Sequence, residues 1–419
     1  MRRITLASVL AATATAVALA VGPALAAPPA PRTERISVSA AGEQGDADSG
    51  GPLLSSTGRY AVFSSYAANL VPGDTFDTND VFVRDLKRGA LERVSVASDG
   101  TPANGQSEAA GISADGRYVV FRSTATNLVP QDPRGPLWAY DVYVHDRRTG
   151  TTELVSGAPD GVSAYANWTA DISDDGRYVA FNARPYQMEG EGSIDPAVYL
   201  HDRETGTTKR VSNRAHPTLA GYGFDLSGNG RYLAYSQNGV RSGDGFVYVR
   251  DLRTGAEEQV NVTPDGSPSA TGGSSPHVSN DGRTVSFGSW ATDLLPGSES
   301  PTATDIYVRD LRTGTTRRVI HDGEGEAAAS NGVLSADGRH LAYEMKVGPA
   351  VNVYVRNLRT GATTLVSGGV DGGPLTDVGV YAASLDAHGR TVGLGSTSAQ
   401  LVADDTNGLR DTFVRRLRP

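Results

Sequence analysis

Cysteine is absent from this chain of 419 residues. The absence excludes disulfide bonds, thiolate metal ligands and a thiol nucleophile, so packing and topology alone must stabilise the fold. Lysine is also scarce and occurs only at Lys87, Lys209 and Lys346. Because the formal net charge is −9 and no basic cluster is present, the chain is not expected to bind nucleic acid.

Sequence signatures of enzymes are missing as well. The seven histidines show no His-x-His or His-Glu-x-x-His spacing, and no Gly-x-Ser-x-Gly motif leads into a helical segment. His145 and His201 stand where other repeats carry arginine, which indicates a scaffold position. Catalysis is therefore not the first expectation, although carboxylates from distant parts of the chain could still meet in the fold.

Only one long apolar run is present. Leu6 to Val21 follows Arg2-Arg3 and precedes Ala24-Leu25-Ala26, an order typical of a secretory signal peptide. We expect a signal peptide at 1–26, a short linker at 27–33, and a mature protein that is secreted or held in the cell envelope without a membrane span. An N-terminal anchor is the alternative, and the export route, general or twin-arginine, stays open.

Repetition dominates the rest of the chain. A glycine-arginine pair followed by an apolar run recurs seven times, at intervals of 51 to 60 residues. The pairs are Gly58-Arg59, Gly116-Arg117, Gly176-Arg177, Gly230-Arg231, Gly282-Arg283, Gly338-Arg339 and Gly389-Arg390. Self-similarity at this period is typical of propellers and solenoids.

Each repeat has room for four strands. Short runs of β-branched and aromatic residues lie between clusters of Gly, Asp and Asn, and helical spacing is not sustained anywhere after the signal peptide. In the second repeat we predict strand A at Ala110–Ser113, strand B at Tyr118–Ser123, strand C at Asp141–Asp146 and strand D at Thr152–Ser156. Four-stranded antiparallel units repeated radially are propeller blades.

The two ends of the chain predict how the ring closes. The seventh repeat has sequence for strands A, B and C but stops at Pro419 before a strand D. Glu34–Ser39 resembles D strands such as Glu92–Val96. We therefore expect an all-β, seven-bladed propeller over 34–419 whose last blade is completed by this N-terminal strand, since a closed ring exposes no sheet edge. A six-bladed ring with one irregular blade is the alternative, and we expect a monomer.

Two blocks of residues carry a family resemblance. Ser113-Ala114-Asp115-Gly116-Arg117-Tyr118, and Asp305–Asp310 followed by Thr313-Gly314, are similar to the repeats of TolB-like propellers, which are related to WD-type repeats. The resemblance covers nearly the whole mature chain and implies the propeller fold. It implies little about function, because TolB-like proteins include a periplasmic partner-binding protein and propeller domains of peptidases.

Topology predicts which face of the ring binds ligands. In an A-B-C-D meander the B–C and D–A connections share one face, and here they differ strongly between repeats, as in residues 124–140 and 291–304. Variable loops on a rigid scaffold are the usual place for binding. Counting back eight residues from each turn glycine reaches the start of strand A beside the channel, at Gly50, Glu108, Trp168, Tyr222, Ser274, Ser330 and Tyr381.

A ligand platform is predicted from this set and from the longest B–C loop. Aromatic faces stack on apolar ligand surfaces while a carboxylate fixes a polar group. The candidate ligand-binding residues are Glu108, Trp138, Tyr140, Trp168, Tyr222 and Tyr381. The alternative is that these rings plug the channel or pack between blades.

Two acidic loops suggest calcium, the only cofactor expected. Hard oxygen ligands at short spacing suit this ion, although neither loop matches the full twelve-residue calcium pattern and such loops also form Asx turns. The candidate ligands are Asp74, Asp77, Asn79 and Asp80 in the first blade and Asp404, Asp405, Asn407 and Asp411 in the last.

The Arg-Asp pairs at the end of strand C are predicted to be scaffold. Arg84-Asp85, Arg250-Asp251 and Arg309-Asp310 recur with the repeat, so each is expected to make the same ion pair, within a blade or between blades, and the same turn hydrogen bonds. Taken together, the sequence favours an exported binding scaffold for a protein or a cell-envelope glycan. The alternative is a secreted carbohydrate-active hydrolase or lyase that uses carboxylates in the channel.

Overall fold

The computed structural model describes residues 32–74, 78–130, 140–156, 164–185, 197–212, 220–238, 245–269, 271–296, 305–319, 329–347, 349–377 and 379–417. Their strands form seven separate four-stranded antiparallel sheets, each of which is one blade. The predicted all-β, seven-bladed propeller is confirmed.

Strands are numbered in chain order, and each blade except the last follows that order. The first three blades are β2 (Leu53–Leu54), β3 (Tyr60–Ser65), β4 (Asp80–Asp85) and β5 (Leu91–Arg93); β6 (Ser107–Ile112), β7 (Tyr118–Ser123), β8 (Asp141–Asp146) and β9 (Thr151–Leu154); and β10 (Ala164–Ile172), β11 (Tyr178–Pro185), β12 (Ala197–Asp202) and β13 (Thr207–Arg210).

The fourth to sixth blades have the same order. They are β14 (Ala220–Leu226), β15 (Tyr232–Asn238), β16 (Gly245–Asp251) and β17 (Glu257–Gln259); β18 (Gly273–Val278), β19 (Thr284–Ser289), β20 (Asp305–Asp310) and β21 (Thr315–Val319); and β22 (Ala329–Leu334), β23 (His340–Val347), β24 (Ala350–Asn357) and β25 (Thr363–Leu365). The seventh consists of β26 (Val380–Leu385), β27 (Thr391–Ser396), β28 (Asp411–Arg416) and β1 (Arg32–Arg35).

Strands B and C of the second repeat have the predicted bounds, as β7 and β8 show. The A strand β6 begins three residues earlier than predicted, and the D strand β9 lies slightly earlier as well. One B–C connection departs from the expectation of long loops, because β23 ends at Val347 and β24 begins at Ala350.

The turn glycine of each repeat packs on the blade before it. Gly116 has a φ of 73°, and a Cβ on it would lie 2.6 Å or less from three atoms of the Tyr60 ring. Gly176 and Gly230 have the same relation to Tyr118 and Tyr178 of the preceding blades. The repeated glycine therefore has two physical reasons: a left-handed backbone and a side chain from the neighbouring blade that leaves no room for a Cβ.

The repeated ion pair exists, and the partner of the strand C aspartate is the turn arginine of the same blade. Asp85 pairs with Arg59 of the preceding hairpin at 2.8 Å instead of with the adjacent Arg84. Arg84 donates to the carbonyl oxygens of Ile36 and Gly89. The same turn-arginine pair recurs in the second to fifth blades, as Arg117–Asp146, Arg177–Asp202, Arg231–Asp251 and Arg283–Asp310. The scaffold role of these carboxylates holds, because each joins two strands of its own blade.

The ring closes as predicted, through a slightly earlier stretch of the chain. β1 pairs with β28 in antiparallel register, with Glu34 opposite Val414, and the Ile36 amide then donates to Thr412 O at 2.8 Å. The strand begins at Arg32, inside the predicted linker, and ends before Ser39. Ile36 is buried, so the closing segment also contributes to the core.

The hydrophobic core lies between neighbouring blades. One cluster joins Val62 and Val83 of the first blade to Val119, Phe121 and Tyr143 of the second, all of them buried. Equivalent clusters occur around the rest of the ring. Because each sheet buries both faces against its neighbours, each blade depends on the two next to it.

Candidate functional site

The propeller has two dissimilar faces. We call the face with the A–B and C–D turns the turn face, and the face with the B–C and D–A connections the loop face. Three large hydrophobic side chains are exposed among the described residues, and all three lie on the loop face: Tyr66, Trp290 and Val370. Tyr66 follows β3 and Trp290 follows β19, so two blades present an aromatic ring at equivalent positions. This distribution agrees with binding on the loop face.

Glu108, Arg122 and Tyr140 form a cluster at the loop-face end of the second blade. Glu108 and Arg122 are directly opposite in the β6–β7 register and form an ion pair. The Tyr140 hydroxyl donates to the other Glu108 oxygen at 3.1 Å, and the Arg122 guanidinium lies 5.0 Å from the Tyr140 ring centroid. Two of the predicted site residues, Glu108 and Tyr140, are thus brought together. Arg122 was not predicted, but its place opposite Glu108 follows from hairpin register.

The electrostatics of this cluster favour a neutral tyrosine. Burial, followed by the charge of Glu108, raises the pKa of Tyr140 to about 12, and Tyr66 of the first blade is near enough to contribute. The Tyr140 hydroxyl therefore stays a hydrogen-bond donor at all physiological pH values. With about a third of the Glu108 side chain exposed, the cluster presents a carboxylate, a guanidinium and aromatic rings to the solvent.

The other four predicted platform residues are Trp138, Trp168, Tyr222 and Tyr381. Trp138 lies outside the described residues, and Trp168 in β10 and Tyr222 in β14 are described by their backbone alone. The Tyr381 hydroxyl accepts a hydrogen bond from the Gly51 amide at 2.9 Å. Tyr381 therefore links the last blade to the first, as the alternative of packing between blades anticipated.

Arginines occupy the two predicted calcium loops. In the first blade, Arg93 lies 2.8 Å from Asp74 and 3.5 Å from Asp80, and the Ser95 hydroxyl donates to Asp80 at 2.5 Å. Burial raises the pKa of Asp80 to about 6. Asn79 is buried, and its backbone amide donates to Gln106 Oε1 at 2.9 Å. Asp77 lies outside the described residues.

The last blade repeats this arrangement. Arg35 of the closing strand lies 3.3 Å from Asp404 and 3.5 Å from both Asp405 and Asp411, and its side chain is 4% exposed. Asn407 instead donates to Gly45 O at 2.9 Å. The described segments contain no group of three or more acidic or histidine side chains arranged to hold a metal. Calcium binding at either loop stays a prediction.

A cluster of titratable groups that the sequence reasoning missed lies in the central channel. Asp171, Asp225 and His277 occupy equivalent positions on the A strands of three consecutive blades, around a cavity of about 280 Å³. Asp225 Oδ1 lies 3.1 Å from His277 Nδ1. Each of these residues stands five positions before a turn glycine, so counting five instead of eight would have found them.

Each channel aspartate also joins two blades. Asp171 accepts the Leu226 amide at 3.0 Å, and Asp225 accepts the Val278 amide at 2.8 Å. Burial and the charge of Asp225 raise the pKa of Asp171 to about 7. Burial lowers the pKa of His277, but the two carboxylates outweigh it and the net pKa is raised. The cluster can therefore exchange protons near neutral pH.

Hydrogen bonds between blades join the A–B turns at the turn-face end of the channel. The Ala114 amide donates to Asp174 O at 3.0 Å, and the Asp174 amide donates to Gly228 O at 2.7 Å. The Ser56 hydroxyl of the first blade reaches Asp174 of the third at 2.6 Å. The cavity around the channel cluster extends to these turns, since Ser56, Asp174 and Gly228 also line it.

Comparison with known proteins supports the fold. No protein-family model matches the chain, and a search of curated proteins gives no significant match. The chain is similar to the β-propeller domain of the trilobed protease from Pyrococcus furiosus, with a TM-score of 0.58 and 12% identity over 88% of this chain and 93% of that one.

Two further solved structures are similar. An oligogalacturonate lyase in complex with manganese has a TM-score of 0.54 and 14% identity, over 87% of this chain and 88% of that one. TolB from Acinetobacter baumannii has a TM-score of 0.42 and 14% identity, over 76% of this chain and 62% of that one. At such identities the likenesses concern the fold and not the activity.

The described segments hold no helix with the length and hydropathy needed to cross a membrane.

Proposed function

We propose that the chain is an exported β-propeller that binds a protein or a cell-envelope glycan through its loop face. The observation that carries this proposal is the Glu108–Arg122–Tyr140 cluster with exposed Tyr66 beside it. A carboxylate and a guanidinium can orient hydroxyl or amide groups, while the rings stack on the apolar faces of a sugar or a peptide. The signal-peptide pattern before Ala27 supports export.

The second candidate is a carbohydrate-active hydrolase or lyase. The observation that favours it is the channel cluster, in which Asp171 and Asp225 share a cavity with His277 and the pKa of Asp171 is raised to about 7. An acid and a base of this kind suit proton transfer. Both carboxylates also accept backbone amides of the next blade, a structural role that would account for them without catalysis.

Titration with peptidoglycan fragments and an oligosaccharide panel, followed by tryptophan fluorescence and calorimetry, tests the binding proposal. We expect a ligand whose affinity falls at least tenfold in Tyr66→Ala and in Trp290→Ala. Lys87→Ala is the control, because Lys87 is exposed on the turn face between β4 and β5. For a protein ligand, capture from culture medium should be lost in the same two variants and kept in the control.

Assays of product formation on the same panel separate the two candidates. Turnover that disappears in Asp225→Asn while binding persists would favour the enzyme. Binding without turnover favours the scaffold. If neither aromatic substitution changes any binding or capture, the loop-face proposal is wrong.

A further inference from the structure

Grooves on the turn face differ in charge from one blade junction to another. Such a groove lies beside the first residue of strand B, under the A–B turn of the following blade. Two of these grooves are open cavities: about 560 Å³ between the fourth and fifth blades, and about 670 Å³ between the sixth and seventh. We call them the 4/5 groove and the 6/7 groove.

The 4/5 groove is acidic. Four carboxylates line it against two arginines, Arg283 and Arg312. The carboxylates are those of Asp251, Glu257, Glu258 and Asp281. Arg283 is neutralised by Asp310, 2.5 Å away. Carboxylates therefore outnumber guanidinium groups in the lining of this groove.

The 6/7 groove has lost the equivalent acids. Asn357 stands opposite His340 in the position that Asp251 takes opposite Tyr232. Thr364 pairs with Val355 as Glu258 pairs with Val249. His388 precedes the turn glycine, where Asp281 stands in the fifth blade. Three acidic positions of one groove are thus neutral or basic in the other.

The same two blades have also lost the carboxylate that pairs with the turn arginine. In each of the first five blades this arginine pairs with an aspartate that is the last residue of strand C. In the sixth blade the position is Asn357, and in the seventh it is Arg416. Among the described residues, the guanidinium groups of Arg339 and Arg390 therefore lack the carboxylate partner of their counterparts.

Arg339 and Arg390 both line the 6/7 groove, together with Arg359. The single carboxylate in its lining is Asp337, which accepts the Ser335 hydroxyl at 2.7 Å and lies 3.3 Å from His388 Nδ1. Three arginines thus face one carboxylate that already has partners. The groove carries a surplus of positive charge on a chain whose overall charge is −9.

His340 adds a polar atom that the protein leaves unused. It replaces the tyrosine that packs under the turn glycine in the first four blades, and Gly389 lies against its ring. Asn357 Nδ2 lies 3.1 Å from His340 Nε2, whereas His340 Nδ1 is buried and has no hydrogen-bond partner among the described residues.

We propose that the 6/7 groove binds a small molecule through an oxyanion group, a phosphate or a carboxylate, held by Arg339, Arg390 and Arg359. Guanidinium groups match both oxyanions with paired N–H donors. The cavity volume lies in the range of small-molecule sites. This site is on the face opposite the loop-face binding surface and does not depend on it.

Calorimetric titration of the purified protein with inorganic phosphate and, separately, with succinate tests the proposal at constant ionic strength. We expect one of the two to bind, which also identifies the phosphate or the carboxylate as the recognised group. Arg339→Gln and Arg390→Gln should each weaken that binding at least tenfold. Arg283→Gln is the matched control: it removes the equivalent charge from the fifth blade and should change affinity less than twofold.

Asn357→Asp supplies a second test that does not depend on removing an arginine. The new carboxylate restores the ion pair of the other blades, so we expect at least tenfold weaker binding in a protein that unfolds at an unchanged or higher temperature. The proposal is overturned if neither anion binds, or if binding persists in both arginine variants. Loss of binding in Arg283→Gln to the same extent would equally contradict it.

Discussion

Gly116 of the second blade lies against the ring of Tyr60 of the first, with no space for a Cβ between them. This contact recurs at Gly176 on Tyr118 and at Gly230 on Tyr178. The repeated Gly-Arg-Tyr segment therefore encodes a junction between blades as well as a hairpin turn within one. The glycine and the tyrosine of each contact belong to successive repeats. The same short segment, repeated along the sequence, therefore packs each blade against the next.

Gly116→Ala is expected to lower the free energy of unfolding by about 3 kcal/mol, because it adds overpacking to the strain of a positive φ. Gly150→Ala is the matched control. Gly150 has a φ of 75° but nothing within 4 Å of an added Cβ, so its loss should be about 1 kcal/mol. Chemical denaturation of both variants measures the difference. Equal losses would mean that the tyrosine contact contributes nothing.

Arg35→Met is expected to cost about 3–5 kcal/mol, because it leaves buried carboxylates without their cation. The side chains of Asp405 and Asp411 are 2% and 1% exposed, and both lie 3.5 Å from Arg35. Arg88→Met on an exposed turn should change stability by less than about 0.5 kcal/mol. If denaturation curves of the two variants coincide, the closing strand is not held by this ion cluster.

Asp171→Asn should flatten the pH dependence of stability between pH 4.5 and 7. Burial raises the pKa of Asp171 to about 7, above the roughly 3.9 of an unfolded aspartate. The folded state therefore binds the proton more tightly, and its contribution is present at low pH and lost as the pH rises through 7. Denaturant midpoints measured across this range should fall more steeply in the native protein than in the variant. Parallel curves would show that Asp171 titrates normally.

Asp85→Asn should have the opposite pH signature. The hydrogen bond from Arg59 lowers the pKa of Asp85 to about 2, so the carboxylate stabilises the fold above pH 4 and this stabilisation is lost as the pH falls toward 2. We expect a loss of about 2 kcal/mol at pH 7 that shrinks in acid. A variant whose deficit is the same at pH 7 and at pH 2.5 would contradict the assignment.

The sequence predicted the features that depend on local residue patterns within each repeat. The glycine-arginine turns and the β-branched runs predicted seven blades. The similarity of Glu34–Ser39 to Glu92–Val96 predicted how the ring closes. The sequence predicted a repeated ion pair but did not identify its partner. In the fold Asp85 pairs with Arg59 of the A–B turn, whereas Arg84 donates to the Ile36 carbonyl oxygen.

Some residues of the candidate sites were predicted from the sequence, and others were found only in the structure. Glu108 was found from its place in the repeat and Tyr140 from its place in the longest B–C loop, but Arg122 and the Asp171–Asp225–His277 cluster were not found. The acidic loops looked like ion sites because their oxygens are close in sequence. Arg93 of the next strand but one and Arg35 of the closing strand enter those loops only after folding.

The sequence by itself determined the blade count, the strand order and the two dissimilar faces, because these follow from local periodicity and from turns within each repeat. Only the tertiary structure decided which charges meet. Packing of neighbouring blades places residues more than 50 positions apart in contact. The charge of each groove depends on which charged side chains these contacts bring together. Arg339 and Arg390 look like every other turn arginine in the sequence, and they differ only because Asn357 and Arg416 stand where an aspartate would neutralise them.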